Sequence, residues 1–505
     1  MTHFPTFPTI RALCLSALAF CPCAALATAE ASPSSETDSL AALRADFEAL
    51  KDRNSALESR NEVLAASLED QSGAWLNEAR AGEIRGLVQD VLLDSQSRTS
   101  LQDSGMSAGY QSGKGFFLAN QDGSFSLRIT GQIQTRWVLN HTKQSFANRG
   151  TDTDNSPQNT WGFQIRRAKV KFKGNVIDPT WKYQINGAFG SDGVFDFEEV
   201  MLSKVFENGI TMTLGQFKTP WLREELVSSS RQLAVERSVV NEFFNQDRAV
   251  GLLVAWKNDD WSLAGSYNNG QRTLLTADER YTNFLDNPTK WAFSGRAEYK
   301  LSGDWSDFKG FNGGIDQAQA VMIGVGMMAQ QYNSQVQDGS LPGAPDAAVD
   351  FDNSTVWGLT ADISAKFDNI SLFAAGVFQQ YDTKGRESTP PNTAFDFSEY
   401  TPWGFVVQGG YSINEEWELF SRYEYGNVPI EDLTTGNPNF DTRGGVASIL
   451  TVGANWFLNS KVKFTADWGI NFANDLNLFD DPGDGWRDSG TDDEWVLRAQ
   501  LQLLF

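Results

Sequence analysis

Residues 124–140, SFSLRITGQIQTRWVLN, alternate apolar and polar positions with a period of two. Phe125, Leu127, Ile129, Ile133, Trp137 and Leu139 share one side, and Arg128, Thr130, Gln132, Gln134 and Arg136 share the other. That period marks a strand with one greasy and one wet face. It recurs along the chain and predicts sixteen strands, near 125–139, 161–173, 181–189, 198–206, 210–217, 248–256, 261–267, 291–301, 320–331, 355–367, 370–381, 403–411, 417–426, 448–458, 461–470 and 494–505. Links after even strands are mostly tight, such as Glu207 to Gly209, Lys257 to Asp260, Asp368-Asn369 and Asn459-Ser460. Links after odd strands, such as 140–160, 268–290, 332–354 and 471–493, are mostly long and polar. The stretch 302–319 is long where a short turn is expected. An even strand count with short turns at one end and long loops at the other predicts an all-β, 16-stranded antiparallel transmembrane β-barrel. Trp or Tyr at strand ends (Trp161, Trp261, Trp403, Tyr411, Trp417, Trp456, Trp468) suits two interfacial girdles.

The last strand, Trp495 to Phe505, puts Trp495, Leu497, Ala499, Leu501, Leu503 and Phe505 on one face and Arg498, Gln500 and Gln502 on the other. A strand ending in Phe resembles the closing strand of Gram-negative outer-membrane barrels. The resemblance implies that Phe505 is an assembly signal read by the barrel-assembly machinery.

The N-terminal part has a different texture. Arg11 precedes an apolar run, Ala12 to Leu26, and Ala27-Thr28-Ala29 is a small-residue cleavage site, so residues 1–29 read as a secretory signal peptide. A lipoprotein anchor fits less well, because Phe20 precedes Cys21 and Pro22 precedes Cys23. All three cysteines lie in this segment, and the rest of the chain needs no disulfide or thiol chemistry. From 37 to 101 the spacing becomes helical. Positions 40, 47, 54, 61 and 68 form one heptad row and 43, 50, 57, 64 and 71 the other, with Asn54 and Asn61 on the seam. This predicts a short α-helical coiled coil, in preference to an amphipathic helix packed on its own chain, because no further helical segment follows for it to pack against. Residues 102–119 read as a linker, and 120–505 as the barrel.

Composition narrows the function classes. The chain has 505 residues and a net charge of −23, which excludes nucleic acid as a general partner. No apolar run beyond the N-terminal segment reaches the ~18 residues of a membrane helix. A membrane crossing must therefore be a closed barrel, which satisfies its own backbone. Residues 161–256 depart from the overall acidity, with twelve Lys and Arg against eleven Asp and Glu. Within them, WGFQIRRAKVKFKG turns Trp161, Phe163 and Ile165 outward and then Ala168, Val170 and Phe172, a change of phase that needs a bulge near Arg166-Arg167. Arg167, Lys169 and Lys171 then face the lumen. The alternative, a basic strip outside, is costly away from the headgroups. The link 218–247 carries Trp221, Leu222, Leu233, Val235, Val239, Val240, Phe243 and Phe244, too many apolar groups for a solvated loop. The barrel interior is a wall to pack against, and Lys218, Arg223, Arg231 and Arg237 would then narrow and charge the pore. Arg128 and Arg136 are further lumen cations. Alternation also sends Glu198 or Glu199, Glu298 and Glu424 inward.

The segments RRAKVKFKG, GQFKTPWLREELVSSSRQLAVERS and the RAVG of Arg248 to Gly251 are similar to the phosphate-selective porin O and P family, over roughly 120–505 and most clearly over 161–256. The resemblance implies a homotrimer of sixteen-stranded barrels with an inward-folded third loop and a ladder of Arg and Lys that relays anions. Arg166 and Arg167 match the family's paired arginines, while Lys218 and Arg237 sit on motif positions. Which loop residue holds the anion at the narrowest point is not fixed by the match; Arg231 is the choice. The implied function is passive conduction of small anions, phosphate or polyphosphate among them, across an outer membrane. Arginine grips oxyanions bidentately and lysine acts as a mobile point charge, and several weak sites let the ion leave. No phosphate-cradling loop motif, cofactor or metal set is expected.

Two other classes are weighed against this. In one, a general non-selective porin tethers the outer membrane to peptidoglycan through 37–101. In the other, the barrel is an enzyme, but His141 alone lies beyond the N-terminal segment, without a nucleophile motif around it. Divalent cations could bridge the acids of 475–494 to each other or to lipopolysaccharide, but calcium-loop spacing is not met, and a solvated, aggregation-resistant outer surface is the expectation.

Overall fold

The computed structural model describes residues 47–62, 105–111, 115–142, 158–190, 195–270, 289–332, 355–382, 399–429, 445–473, 476, 479, 483–487 and 494–505. The chain divides into two compact units, Met1–Leu92 and Leu93–Phe505. In the first, residues 47–62 form a helix, α1, whose apolar seam of Phe47, Leu50 and Leu57 is exposed. The rest of the expected coiled coil, and the signal peptide, lie outside the described residues.

The second unit is one antiparallel sheet. It begins with a hairpin, β1 (Met106–Gln111) and β2 (Gly115–Asn120). Then follow β3 (Ser126–Thr142), β4 (Gln158–Asn175), β5 (Trp181–Phe189), β6 (Phe195–Val205), β7 (Ile210–Lys218), β8 (Arg248–Lys257) and β9 (Trp261–Asn268). The remainder are β10 (Thr289–Ser302), β11 (Gln317–Tyr332), β12 (Thr355–Asp368), β13 (Ile370–Asp382), β14 (Glu399–Tyr400), β15 (Trp403–Ser412), β16 (Trp417–Asn427), β17 (Val446–Phe457), β18 (Val462–Asn471) and β19 (Trp495–Leu504). Each strand from β3 onward pairs with the next, and β14 and β15 pair with β13 as two pieces of one strand. β19 then pairs with β3, from Trp495 opposite His141 to Leu504 opposite Gln132. The result is a closed barrel of sixteen strands, which lie within three residues of the bounds that alternation predicts.

Closure removes the sheet edges, and alternation sets what each side sees. Phe163, Ile165, Leu214, Val325 and Leu501 are exposed on the outside, whereas Gln134, Arg136, Gln330 and Glu424 are buried inside. Soluble proteins have the opposite arrangement. A greasy exterior around a polar interior is what a bilayer requires of a barrel. Trp417 and Trp456 stack across neighbouring strands at 5.5 Å near the short-turn end, as girdle residues do.

The expected linker, 102–119, is corrected: it contains the β1–β2 hairpin. β3 is seventeen residues long, and β19 covers it only from 132 to 141. Gly131 and the Phe505 backbone exchange hydrogen bonds of 2.7 and 3.1 Å where β19 ends. Below that point β2 takes over, pairing Phe116 to Ala119 with Ile129 to Ser126. The hairpin thus satisfies backbone groups that would otherwise form an open edge. Its Gly- and Ser-rich flanks hid it in the sequence.

Two bulges shape the inner wall. Gln134 pairs with Arg167 and Thr135 with Ile165, leaving Arg166 as the extra residue that the change of phase in β4 demands. In β6, Asn186 pairs with Glu199 and Gly187 with Phe197, so Glu198 is extra. Alternation alone admits Glu198 or Glu199; the bulge buries both.

Candidate functional site

The segment between β7 and β8 is a chain of short turns with two short helices, α2 (Arg223–Leu226) and α3 (Val239–Phe244). Ser238 caps α3 by accepting from the Asn241 N–H, and its hydroxyl donates to Glu224 at 2.6 Å. Trp221, Leu233, Val235 and Phe244 are almost fully buried. Inner-face side chains of several strands bond to the segment's backbone. Arg296 of β10 donates to the Trp221 carbonyl at 3.3 Å, Arg422 of β16 to Glu236 at 2.8 Å, Asn455 of β17 to Leu233 at 3.0 Å, and Lys463 of β18 to Gln232 at 2.9 Å. Carboxylates serve its N–H groups: Asp467 accepts from Val235 at 2.9 Å and Glu424 from Val239 at 2.6 Å.

Most candidate cations are already paired with acids. Glu236 accepts from Arg136 at 2.5 Å, from Arg166 at 2.6 Å and from Arg167 at 2.7 Å. Burial opposes ionisation of Glu236, but the three guanidiniums hold its carboxyl well below the usual carboxylate range. Arg166 also reaches Asp484 at 2.8 Å. Lys169 is bonded to Glu198. Lys218 meets Glu225 at 2.9 Å, which Arg237 also contacts at 3.3 Å. Arg223 meets Glu298 at 3.4 Å, and Arg248 pairs with Asp247 and lies 3.5 Å from Glu198.

Three candidates stand apart. Lys171 is about one-third exposed and 3.6 Å from Glu199. Arg128 is half-buried, with only the Gln111 amide oxygen at 3.4 Å as a hydrogen-bond partner among the described residues. Arg231 is exposed, and among the described residues its guanidinium has no partner. A fourth, Lys173, was not singled out in the sequence. It is exposed, stands opposite Arg128 across the β3–β4 pair, and feels the charges of Lys171, Arg128 and Arg231. Four cations thus gather in the turn half of the lumen, and among the described residues only Lys171 of them lies within ion-pair distance of an acid, Glu199.

The profile of the family described as phosphate-selective porin O and P matches residues 140–503. The chain belongs to the phosphate-selective porin O and P family. It is therefore an outer-membrane porin, a channel and not an enzyme. Comparison with curated proteins gives no match. Among solved structures, OmpT of Vibrio cholerae (in-vitro folded) is 10% identical over 76% of this chain and 98% of its own, with a TM-score of 0.47. The anion-selective porin from Comamonas acidovorans is 12% identical over 75% and 100%, at 0.46. The outer membrane channel DcaP of Acinetobacter baumannii is 13% identical over 76% and 99%, at 0.46.

Of the porin's acids in 475–494, only Asp484 and Glu494 are among the described residues, and these two depart from the expected solvated surface; the other six lie outside the described residues. Asp484 and Glu494 are buried rather than solvated. Glu494 accepts from Asn140 at 2.6 Å and from the Arg487 N–H at 2.8 Å. Arg296 and Arg422 were not singled out in the sequence, and Arg498 only as part of the closing strand's polar face. Each pairs with an inner-face acid: Arg296 with Asp362 at 2.8 Å, Arg422 with Glu424 at 3.1 Å, and Arg498 with Asp467 at 2.7 Å. The Arg-x-Glu spacing of 296/298 and 422/424, both ends on one strand face, is the signal that could have found two of them.

Proposed function

We propose that this porin conducts small anions, phosphate among them, and that its preference comes from Arg128, Lys171, Lys173 and Arg231 rather than from the whole basic set. The observation that carries this is the contrast between those four cations, which are partly or fully exposed and of which Lys171 alone lies near an acid among the described residues, and the largely buried, acid-paired remainder. A cation already neutralised at 3 Å adds little field in the pore, whereas a free one acts at full charge over about a Debye length, ~8 Å at physiological salt. The net charge of −23 is no obstacle, because acids outside that range are screened. Segment 218–247 serves as the constriction, with Arg231 as its anion-facing residue. Homotrimers, insertion through the barrel-assembly machinery and contact with lipopolysaccharide complete the reading.

The test is single-channel reversal potential in a salt gradient, with phosphate block of the chloride current. Replacing Arg128, Lys171, Lys173 and Arg231 by Gln is expected to move selectivity toward cations and to weaken phosphate block. A wild type that prefers cations at moderate salt would sink the reading.

A second reading has its own support. The exposed seam of Phe47, Leu50 and Leu57 in α1 calls for a helical partner. In that reading the protein is a general porin whose N-terminal coiled coil ties the outer membrane to peptidoglycan.

A further inference from the structure

The β10–β11 link, 303–316, breaks the short-turn rule, and its side chains show why. Phe308 and Phe311 are buried. Phe311 packs against Phe373 of β13 with ring centroids 4.5 Å apart, in a cluster with Val227, Leu233 and Phe420. Glu418 of β16 accepts from the Asn312 amide at 2.6 Å and from the Gly313 N–H at 2.7 Å, while Lys366 of β12 donates to the Asn312 carbonyl at 2.6 Å. All of these are inner-face partners, so the link folds into the barrel from the short-turn end.

It meets 218–247 at Arg223, whose guanidinium donates to the Phe308 carbonyl, and at Arg231. The Phe311 N–H donates to the Arg231 carbonyl at 3.0 Å. A Cβ on Gly310 would stand 2.9 Å from the Arg231 Cβ, so only glycine allows this approach. The packing also divides the lumen. On the filled side Ser364, Ser371, Ser412 and Asn455 are buried. On the opposite wall Lys171, Gln184, Ser203 and Ala255 remain partly open.

We propose that 303–316 is a second pore-narrowing element, which confines the aqueous route to the wall of β4–β8 and positions Arg231 beside it. The role given to Arg231 rests on the anion-conducting reading above; the route does not. The link acts by volume: it replaces water with protein on one side of the turn half. It acts on Arg231 by holding that residue's backbone at Phe311.

Two arms test this in planar bilayers, using the chain with Cys14, Cys21 and Cys23 replaced by Ala. In the first, S203C and S371C are treated with a charged methanethiosulfonate. S203C is expected to lose conductance and S371C to keep it. Equal block at both positions overturns the proposed route. In the second, F311A is expected to raise conductance and lower anion preference together, with F311L restoring both. R231Q is expected to lower anion preference without raising conductance. If F311A changes neither quantity, the link is no pore element. If R231Q leaves selectivity unchanged, the anion reading fails, while the thiol arm still decides the route.

Discussion

The inner face of β4 holds two kinds of cation a few residues apart. Midway along it, Arg166, Arg167 and Lys169 are locked to Glu236, Asp484 and Glu198. At its turn end, Lys171 and Lys173 stay accessible, with Arg128 and Arg231 nearby. Apart from Arg166 at the bulge, they share one strand and one alternation pattern, so the difference lies in what is packed opposite. Segment 218–247 brings a carboxylate to the first group and, to the second, a guanidinium that has no partner among the described residues. Basic residues in a pore therefore do two jobs: one set anchors the segment that fills the lumen, and the other is left to meet the solute.

Glu236→Ala tests this division most severely. It leaves three guanidiniums without their carboxylate, and breaking a buried ion cluster costs about 3–5 kcal/mol. Heat-modified mobility on gels should show a much less stable barrel. The triple change of Arg136, Arg166 and Arg167 to Gln on the same background should recover part of the loss. Stability unchanged by Glu236→Ala would mean that the cluster anchors nothing.

Next comes the exchange of roles. Arg231→Gln with Lys173→Gln should shift reversal potentials toward cations and leave stability near wild type. Each accessible cation attracts an anion by about 1 kcal/mol at 4 Å in water-like surroundings, roughly fivefold in local occupancy. Arg237→Gln and Arg223→Gln should do the reverse, lowering stability with little change in selectivity. Equal selectivity shifts from both pairs would erase the distinction.

Deleting Phe505 probes a different contact. Its ring lies where a Gly131 side chain would be, and its backbone closes the β3–β19 seam. The deletion should reduce insertion into the outer membrane, seen as periplasmic accumulation, with secretion intact. The smallest effect concerns acid. The Glu236 carboxyl is held low, so its stabilisation is complete above the ordinary carboxylate value, about 4.3, and is lost progressively below that, until pH has fallen through its lower folded value. The Glu236 contribution, read as the difference in melting temperature between wild type and Glu236→Gln in detergent, should therefore stay constant between about pH 8 and pH 5. A difference that already shrinks between about pH 8 and pH 5 would show that the guanidiniums do not hold the carboxyl down.

The sequence by itself determined the barrel: sixteen strands, their facing, the bulge at Arg166 and the turn-and-loop asymmetry. These follow from a period of two and from turn lengths, which are local properties that a bilayer enforces along every strand. It also pointed to a segment too apolar for solvent. The β1–β2 hairpin escaped notice because its need arises from β3 outreaching β19, a relation between distant residues. Only the tertiary structure decided which cations are free. The partners that silence Arg166 are Glu236 and Asp484, 70 and 318 residues away along the chain. Alternation places a charge inside a barrel, but whether that charge is compensated depends on which loop folds against it.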